Sequence, residues 1–411
     1  MLIIYRFLIN LVFVLSPIII IIRLIKKKEN LKRFQEKLGF FSKKKIKGKL
    51  IWFHGASVGE LQSIIPLIEK FEKNKKISQI LITSNTTSSS KIIEKLNLKK
   101  TIHQFFPIDT NFISKKFLNY WRPSKVFFID SEIWPNTILN LTKKKIPIIL
   151  LNGRITKKTF NRWMLFSSFS KSLFNKFNLC LSSSRESKKY LKKLGAKNIK
   201  FFGNLKFTQS ESKIVTLDND LKKFIRKRKS WCASSTHHPE EKFCGHVHLK
   251  LKKKYKNILT IIIPRHVHRS QLIKKELSEL NLKVHMHEPK KNIKQNTDIY
   301  LVNSYGSTKS FYNICKNIFL GGSLINHGGQ NPLEAIRYEC KVLHGPNVSN
   351  FKEIYEFLKK KKLSNKTNNE NQMTQILEKN LNKKNYSKKI VQNMKLIGKK
   401  ILKKTYEEVN L

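Results

Sequence analysis

Residues 50–60 read LIWFHGASVGE: an apolar run, a turn of small residues, and the start of a helix-forming stretch that extends to Lys70. A strand, a tight turn and a helix make the first part of a βαβ unit, which builds a parallel sheet. Glu60 then stands in a first helical turn, where unpaired N–H groups and a partial positive charge stabilise negative charge. Two interpretations of Glu60 follow. It is a first-turn acid that favours the helix dipole, or a general base facing the ligand crevice at the strand end.

The strand-and-helix pattern continues along the chain in two series. The first series has strand-like runs at Leu50–Phe53, Ile80–Thr83, His103–Phe106, Val126–Ile129, Ile146–Leu151, Leu179–Ser182 and Ile199–Phe202. The second series, after a polar stretch, has them at Trp231–Ser234, Ile258–Ile263, Lys283–His287, Ile299–Val302, Ile318–Leu320 and Lys341–Leu343. Short apolar strands that alternate with helical stretches predict parallel sheets covered on both faces.

Polar loops follow four strands of the first series, at Thr83–Thr87, Pro107–Thr110, Asp130–Glu132 and Asn152–Arg154. The carboxyl ends of parallel strands meet at one edge of a sheet, where α/β proteins bind their ligands. A single loop of this kind means little, but four of them at strand ends predict a site at that edge.

Composition sets limits on the partners of the chain. It has 411 residues, of which 83 are Lys or Arg and 27 are Asp or Glu, so the formal net charge is +56. The length predicts two domains, and so basic a balance favours anionic partners. The lysines are spread over nearly every segment, and neither a zinc-finger spacing nor an aromatic RNA-binding strand is present. We therefore expect non-specific attraction to polyanions and no specific nucleic-acid partner.

The cysteines indicate neither disulfides nor a metal centre. They form an odd and scattered set without a C-x-x-C pair: Cys180, Cys232, Cys244, Cys315 and Cys340. Such a set favours a reducing compartment. The combination of Cys232 and Cys244 with two nearby histidines matches no zinc spacing, so we expect ordinary core or surface positions for them.

The N-terminal segment predicts a membrane anchor. Residues 2–25 are almost wholly apolar, although Arg6 and Pro17 interrupt them, and Lys26–Lys28 follow directly. About 20 apolar residues span a bilayer, and basic residues stay on the cytoplasmic side. We therefore expect the body in the cytoplasm and the extreme N-terminus outside, with an interfacial helix as the open alternative. The basic stretch 29–49 predicts a helix near anionic lipid, or a merely solvated charged face.

Several motifs, taken in order along the chain, resemble the 3-deoxy-D-manno-octulosonic acid (Kdo) transferase family. Those of the first half are His54–Glu60 (HGASVGE), Asp130–Asn136 (DSEIWPN) and Asn152–Arg154 (NGR). Those of the second half are Gly203–Phe207 (GNLKF), Ser234–His237 (SSTH), Pro264–His266 (PRH), Gly321–Ser323 (GGS), Gly328–Glu334 (GGQNPLE) and Gly345–Asn347 (GPN) with Asn350-Phe351. The likeness extends from the anchor to about residue 355. Ala233 and Gln330 depart from the family pattern, which usually has Gly and His there.

The resemblance implies an α/β fold of the GT-B class, in which two Rossmann-like domains face a central cleft behind an N-terminal membrane-anchor helix. The predicted divisions are a membrane anchor at 1–28, an acceptor-side domain at 29–207, a linker at 208–229, a donor-binding domain at 230–385 and a closing helix at 386–411.

The resemblance also implies the function: an inverting glycosyltransferase that moves Kdo from CMP-Kdo to the lipid A precursor in lipopolysaccharide inner-core synthesis. Glu60 matches the catalytic base of the family. The donor-binding candidates are Ser235, Thr236, Pro264, Arg265, His266, Gly328, Gly329, Asn331, Glu334 and Lys206. The acceptor-side or transition-state candidates are Ser57, Gly59, Glu132 and Arg154. The implied partners are CMP-Kdo, the lipid A precursor and anionic lipid of the inner membrane, with neither a metal nor a cofactor.

Other interpretations stay open for several of these residues. Arg265 can offer a bidentate donor pair to phosphate or carboxylate, or form a surface ion pair. Thr236 and its neighbour Ser235 are equally suited to a helix cap. Glu334 can hold ribose hydroxyls or favour a helix dipole. At the level of function, the alternatives are another GT-B envelope glycosyltransferase and a membrane-tethered polyanion-binding protein.

Overall fold

The computed structural model describes residues 1–26, 28–209, 216–289, 293–382 and 388–410. The chain forms two compact units. The first unit consists of Met1–Ser210 and Lys395–Leu411, and the second consists of Glu211–Met394. The boundaries expected from the sequence stay predictions.

The helices and strands alternate along the chain. The helices are α1 (Leu2–Ile25), α2 (Val58–Glu72), α3 (Thr87–Lys95), α4 (Asn111–Trp121), α5 (Pro135–Lys143), α6 (Lys157–Met164), α7 (Ser167–Phe174), α8 (Arg185–Lys193), α9 (Asn219–Arg226), α10 (Glu240–Lys254), α11 (Ser270–Ser278), α12 (Thr308–Ile314), α13 (Leu333–Arg337), α14 (Lys352–Lys360), α15 (Glu370–Leu381) and α16 (Lys388–Asn410). The strands are β1 (Leu50–His54), β2 (Gln79–Ser84), β3 (Thr101–Phe105), β4 (Lys125–Ile129), β5 (Ile148–Gly153), β6 (Leu179–Ser182), β7 (Ile199–Lys200), β8 (Lys229–Thr236), β9 (Ile258–Pro264), β10 (Val284–Met286), β11 (Ile299–Leu301), β12 (Asn317–Leu320), β13 (Lys341–His344) and β14 (Ser364–Lys366).

The first unit is built on a parallel sheet with the strand order β3-β2-β1-β4-β5-β6-β7. From β1 the chain proceeds outward to β2 and β3, then returns to place β4 on the other side of β1. The order therefore reverses between β1 and β4, and such a switch point leaves a crevice beyond the carboxyl ends of the two strands.

The second unit repeats this plan. Its parallel sheet has the order β10-β11-β9-β8-β12-β13-β14, so the strand order reverses between β8 and β12. The predicted α/β class, with two Rossmann-like domains behind an apolar N-terminal helix, is confirmed.

Side chains alternate between the two faces of a strand. Those on both faces of each sheet are buried, so each sheet is covered on both sides. In β1, Trp52 packs on one face with Phe128, whereas Phe53 packs on the other. There the Phe53 and Phe127 rings stack with centroids 4.5 Å apart. α16 supplies Ile401 and Val409 to this second layer. These buried layers fix the strand ends that carry the candidate site.

The helix predicted for residues 29–49 is wrong, since the structure has only a short 3-10 helix there, at Phe34–Leu38. Gly39 and Gly48 have φ of +89° and +115°, which an α-helix cannot accommodate. Glu36 is buried and accepts a hydrogen bond from the Phe105 N–H. The Glu36 carboxylate thus attaches this segment to β3.

Other differences are local. Ile146 lies outside β5 because Pro147, which has no N–H to give to a sheet, precedes the strand. The polar edge strand β14 was not predicted, since its sequence SNK has no apolar pattern. Within the predicted linker, α9 buries Leu221, Phe224 and Ile225.

Candidate active site

Glu60 lies at the switch point of the first sheet, in the first turn of α2. Ser57 caps this helix: its Oγ accepts a hydrogen bond from the Glu60 N–H and donates one to Glu60 Oε1 at 2.8 Å. The Ala56 N–H donates to Glu60 Oε2 at 2.7 Å. Ser57 and Glu60 thus stand at the N-cap and third helical positions of a capping box, except that the carboxylate reaches the N–H of the residue before the cap. The carboxylate does favour the helix terminus, as one of its two interpretations required.

The electrostatic environment of Glu60 also suits its interpretation as a general base. Burial, followed by the negative charges of Asp130 and Glu132, raises the pKa of Glu60 to about 7, against the opposing hydrogen bonds from Ser57 and Ala56. A carboxyl group with a pKa near neutrality is well matched to take up a proton in a reaction at neutral pH. One residue can therefore cap the helix and act as a base.

Glu132, which follows β4, belongs to a polar cluster beside β1. Its Oε2 lies 3.2 Å from His54 Nε2 and accepts a hydrogen bond from Trp134 Nε1 at 3.0 Å. On the other side of the imidazole, His54 Nδ1 lies 2.9 Å from Thr83 Oγ1. Because His54 is fully buried, this cluster fixes the direction of the Glu132 carboxylate.

Asp130 and Asn152 end neighbouring strands in the left-handed conformation, with φ of 57° and 53°. Asn152 Nδ2 donates to Asp130 Oδ1 at 2.6 Å, and Asn152 Oδ1 accepts from the Leu205 N–H at 2.9 Å. The Arg154 N–H donates to the Asp130 carbonyl, and Lys206 Nζ lies 3.8 Å from Asp130 Oδ2. The structure thus brings Arg154 and Lys206 to the edge that carries Glu60, and Lys206, predicted to face the donor, lies in the first unit.

Three loops form the corresponding edge of the second unit. Ser235 lies in a β-bulge of β8 with φ of 56°, and Thr236 accepts a backbone hydrogen bond from Arg265, which directly follows β9. Thr236 Oγ1 is buried without a hydrogen-bond partner among the described residues. A hydroxyl in that condition is available to a ligand or a water molecule.

Histidines gather at the same edge. The His237 ring lies 5.5 Å from that of His266 and 4.5 Å from that of His327, centroid to centroid. Burial first, and then the neighbouring cationic groups, lower the pKa of His237 to about 4. His327 was absent from the predicted set, although it directly precedes the Gly328-Gly329 pair.

The sequence analysis missed Glu240, the first residue of α10. This buried carboxylate accepts hydrogen bonds from the N–H groups of His237, Gly322, Ser323 and Leu324, at 2.7–3.0 Å. Burial raises the pKa of Glu240, and these N–H groups oppose that rise. Its carboxylate therefore joins the loop after β8 to the loop after β12. The available signal was an acid in the helical turn that follows the Ser234–His237 motif.

Gly328 and Gly329 allow the backbone conformation and the close contacts of the loop in which they lie. Gly328 and Gly329 have φ of 92° and 73°, and a Cβ on Gly328 would come within 2.5 Å of the Asn350 side chain. Gly328 is therefore required by its close approach to Asn350 within the protein. The Gly329 N–H donates to the Gly322 carbonyl at 2.8 Å, which joins this loop to the one after β12.

The helix after these glycines is short. α13 has five residues, and Pro332 takes its N-cap position. Asn331 Oδ1 accepts from the Leu333 N–H, so it caps the turn, and Glu334 Oε1 lies 3.2 Å from Lys309 Nζ.

Among the residues that the structure describes, no group of three or more His, Cys, Asp or Glu side chains is arranged to hold a metal ion. Cys232 and Cys244 are buried and unbridged, so of the ordinary core or surface positions expected for them they take the core ones. Burial raises the pKa of both thiols well above the usual value.

The chain is similar in sequence to proteins of one family. The profile of the family described as 3-deoxy-D-manno-octulosonic-acid transferase (kdotransferase) matches residues 32–209. A probable mitochondrial 3-deoxy-D-manno-octulosonic acid transferase of Arabidopsis thaliana is 31% identical, over 85% of this chain and 81% of the relative. The 3-deoxy-D-manno-octulosonic acid transferase of Rickettsia bellii is also 31% identical, over 83% and 82%.

Solved structures support the fold. A UDP-N-acetylglucosamine 2-epimerase has a TM-score of 0.60 at 12% identity, covering 87% of this chain and 94% of that protein. The epimerase of Neisseria meningitidis, bound to UDP-GlcNAc, has a TM-score of 0.56 at 15% identity, over 86% and 100%. At such identities the likeness concerns the fold alone, whereas the sequence relatives match most of both chains. The chain therefore belongs to the family of 3-deoxy-D-manno-octulosonic acid transferases and is a glycosyltransferase.

Proposed function

We propose that this transferase moves Kdo from CMP-Kdo to the lipid A precursor lipid IVA, with inversion, in the inner-core step of lipopolysaccharide synthesis. The observation that carries the proposal is Glu60, whose pKa is raised to about 7 at the switch point of the first sheet. Inverting transfer needs a base of this kind, because the acceptor hydroxyl must lose its proton as it attacks.

The proposed step is a single displacement. The acceptor oxygen bonds to the anomeric carbon of Kdo while the bond from that carbon to the CMP phosphate oxygen breaks. The electron pair of the broken bond leaves on CMP, and the hydroxyl proton passes to the Glu60 carboxylate. Because attack and departure occur on opposite faces, the configuration at the anomeric carbon inverts.

The donor is assigned mainly to the second unit. Arg265 offers the bidentate donor geometry that suits a phosphate or the Kdo carboxylate. Ser235 and the unpartnered Thr236 hydroxyl offer further donors, and Glu334 offers an acceptor for ribose hydroxyls. The departing CMP phosphate gains negative charge, so fixed donors aimed at it favour the transition state more than the ground state.

The acceptor is assigned to the first unit, where Ser57, Gly59, Glu132 and Arg154 surround Glu60 in sequence or in space. Arg154 is proposed to bind a phosphate of the acceptor. Gly59 has no atom within 4 Å of an added Cβ, which is consistent with room for a sugar beside the base. Glu132, oriented by His54 and Trp134, adds negative charge that raises the pKa of Glu60.

The proposed location is the inner membrane, with the catalytic body on its cytoplasmic side. α1 is the support for this location, since it is a 24-residue helix long and apolar enough to cross a membrane. Lys26 and Lys28 follow it, and basic residues next to a membrane are attracted to the anionic lipid of the cytoplasmic leaflet.

The test is transfer of Kdo from CMP-Kdo, generated in situ, to a tetra-acylated lipid A precursor, with wild type and Glu60→Gln compared. We expect the variant to lose about 10²- to 10⁴-fold in kcat, the range that a general base contributes, while its affinity for CMP is unchanged. Full activity in the variant would remove Glu60 from the mechanism. A folded wild type that binds CMP but transfers nothing to this lipid would indicate another acceptor, and failure to bind CMP would refute the proposed donor.

A further inference from the structure

α1 contacts the first unit along one face only. Eight residues of α1 are buried or partly buried: Leu2, Tyr5, Arg6, Ile9, Ser16, Ile20, Arg23 and Leu24. At 3.6 residues per turn they all fall within one stripe of about 100°. The stripe has members in both halves of the helix, whereas residues 10–15 are exposed, so the body contacts α1 near each of its ends.

Polar contacts hold both ends of this stripe. Near the first end, the Tyr5 hydroxyl donates to Asp109 Oδ2 at 2.8 Å, and Arg6 Nε donates to Asn136 Oδ1 at 2.9 Å. Near the other end, Arg23 Nε donates to Glu29 Oε1 at 2.5 Å. Asp109, Asn136 and Glu29 are all buried, so each contact is to a fixed point of the body.

These contacts are incompatible with a helix that crosses the bilayer. Eighteen residues separate Tyr5 from Arg23, or about 27 Å of helix, and the hydrocarbon core is about 30 Å thick. A spanning α1 with Arg23 at the near surface would carry Tyr5 to the far one, away from Asp109. The body can hold both ends only if α1 lies along it.

The opposite face of α1 is apolar and exposed. Its side chains include Ile3, Phe7, Val14, Ile18 and Ile25, which are 60–82% exposed. An apolar surface of this extent is not stable in water.

Lipid is the occupant that fits this face. Leu31, six residues after the end of α1, and Phe112, three residues beyond Asp109, are also about three-quarters exposed. Lys26, Lys28 and Lys32 are exposed beside it. An aliphatic face flanked by cations matches acyl chains beneath anionic headgroups.

We propose that α1 is a monotopic helix, held flat against the first unit by Tyr5 and Arg6, whose outer face lies in one leaflet of an anionic bilayer. Asp109 follows β3 and Asn136 begins α5 after β4, so the first end of α1 lies at the sheet edge that carries Glu60. The arrangement brings the lipid surface to that edge. The inference rests on the proposed membrane location but not on which sugar is transferred.

Depth measurement tests the orientation directly. Single cysteines at Ile4, Val14 and Ile25 would carry a fluorophore in the full-length protein, since all five native cysteines are buried. The vesicles would contain phosphatidylethanolamine and phosphatidylglycerol, with nitroxides at graded depths. We expect the same shallow depth at all three positions. A maximum depth at Val14 would mean a spanning helix, and no quenching at any position would mean that something other than lipid covers the face; either result overturns the proposal.

Sidedness provides a second readout. A cysteine added before Met1 and a control cysteine at the exposed Lys75 of the first unit should react with an impermeant maleimide from the same side of the membrane. Reaction from opposite sides would refute the flat helix whichever side holds the body. This result is independent of enzymatic activity, so it also separates this inference from the proposed function.

A third test concerns the Tyr5 contact. Tyr5→Phe should lower the unfolding midpoint of the vesicle-bound protein by several degrees, because Asp109 loses a hydrogen bond from the hydroxyl. The matched control, Phe7→Leu on the exposed face, should leave the midpoint unchanged. Equal midpoints for wild type and Tyr5→Phe would contradict the contact.

Discussion

The Glu60 carboxylate is subject to opposing influences within a few ångströms. Burial and the charges of Asp130 and Glu132 raise its pKa, whereas the Ser57 hydroxyl and the Ala56 N–H lower it. The net result is a base that is half protonated near pH 7, in a position where the helix N-terminus also requires an acceptor. Structural capping and proton transfer are therefore two uses of the same oxygens.

The pH dependence of transfer follows from this pKa. Below about pH 7, Glu60 is protonated and cannot accept the hydroxyl proton, so log kcat/KM should rise with pH and level off above that value. Asp130→Asn removes the largest charge effect on Glu60 and should move the break to lower pH. Asn tolerates the left-handed conformation of residue 130, and its amide oxygen can still accept from Asn152. A break that stays in place would show that Asp130 does not set the pKa of Glu60.

The raised pKa of Glu60 also predicts that a substitution that removes the base stabilises the fold. The folded-state pKa of about 7 lies above the ordinary pKa of a glutamate side chain, 4.5. The ionised carboxylate therefore destabilises the fold increasingly as pH rises from about 4.5 through 7. Glu60→Gln stays neutral, so above pH 7 its free energy of unfolding should exceed that of wild type by about 1–3 kcal/mol. Urea denaturation at pH 4 and pH 8 would measure this; an equal difference at both would contradict it.

At the scale of elements, the second unit depends on one carboxylate shared by two loops. Glu240 is 1% exposed, and it holds the loops that follow β8 and β12 through backbone N–H groups alone. A Cβ on Gly321 would come within 2.5 Å of the Ser235 carbonyl oxygen and 2.7 Å of Glu240 Oε2. The loops therefore approach as closely as glycine permits, with the carboxylate between them.

Glu240→Gln should separate these loops. The amide has a single acceptor oxygen, and its NH₂ group faces N–H donors, so we expect a loss of about 2–4 kcal/mol in the stability of the second unit. CMP affinity should fall with it. The exposed Glu279→Gln is the matched control and should change neither quantity. Calorimetric titration with CMP, below the unfolding range of the variant, checks the binding; unchanged affinity would mean that the loops do not form the donor site.

The elements that the sequence predicted are those with a strong apolar pattern. The strands from Leu50 and Ile258 were placed within one residue of the observed bounds, because continuous apolar runs have few alternatives in a parallel sheet. Stretch 29–49 was mistaken for a helix, because composition does not reveal that Glu36 is buried against β3. Glu240 was missed for a similar reason: its four partners are backbone N–H groups, which leave no trace in side-chain identity.

At the scale of the whole molecule, charge is the dominant property. A formal net charge of +56 spread over the chain attracts any polyanion without selecting one. The candidate sites, in contrast, contain acids with defined hydrogen-bond partners, the partly buried Glu60 in one unit and the buried Glu240 in the other. General attraction and specific chemistry are thus carried by different residues.

The non-specific attraction of this basic chain to polyanions predicts how its binding to DNA depends on salt. Binding to duplex DNA should weaken steeply between about 50 and 300 mM salt, because it arises from counterion release, and it should be the same for a shuffled sequence of equal length. Filter binding over a salt series would measure it. A preference for one DNA sequence that persists at about 300 mM salt would instead support a specific nucleic-acid function, which the sequence analysis did not expect.

The two-segment make-up of the first unit affects how the chain can mature on the ribosome. Lys395–Leu411 belong to this unit, and Ile401 and Val409 of α16 complete one of its apolar layers. Translation must pass through the entire second unit between Ser210 and Lys395, a delay of roughly 10 to 40 s at 5–20 residues per second. During that interval α1 has already emerged while the layer beneath β1 stays open. The apolar side chains that Ile401 and Val409 later cover therefore stay open in that interval.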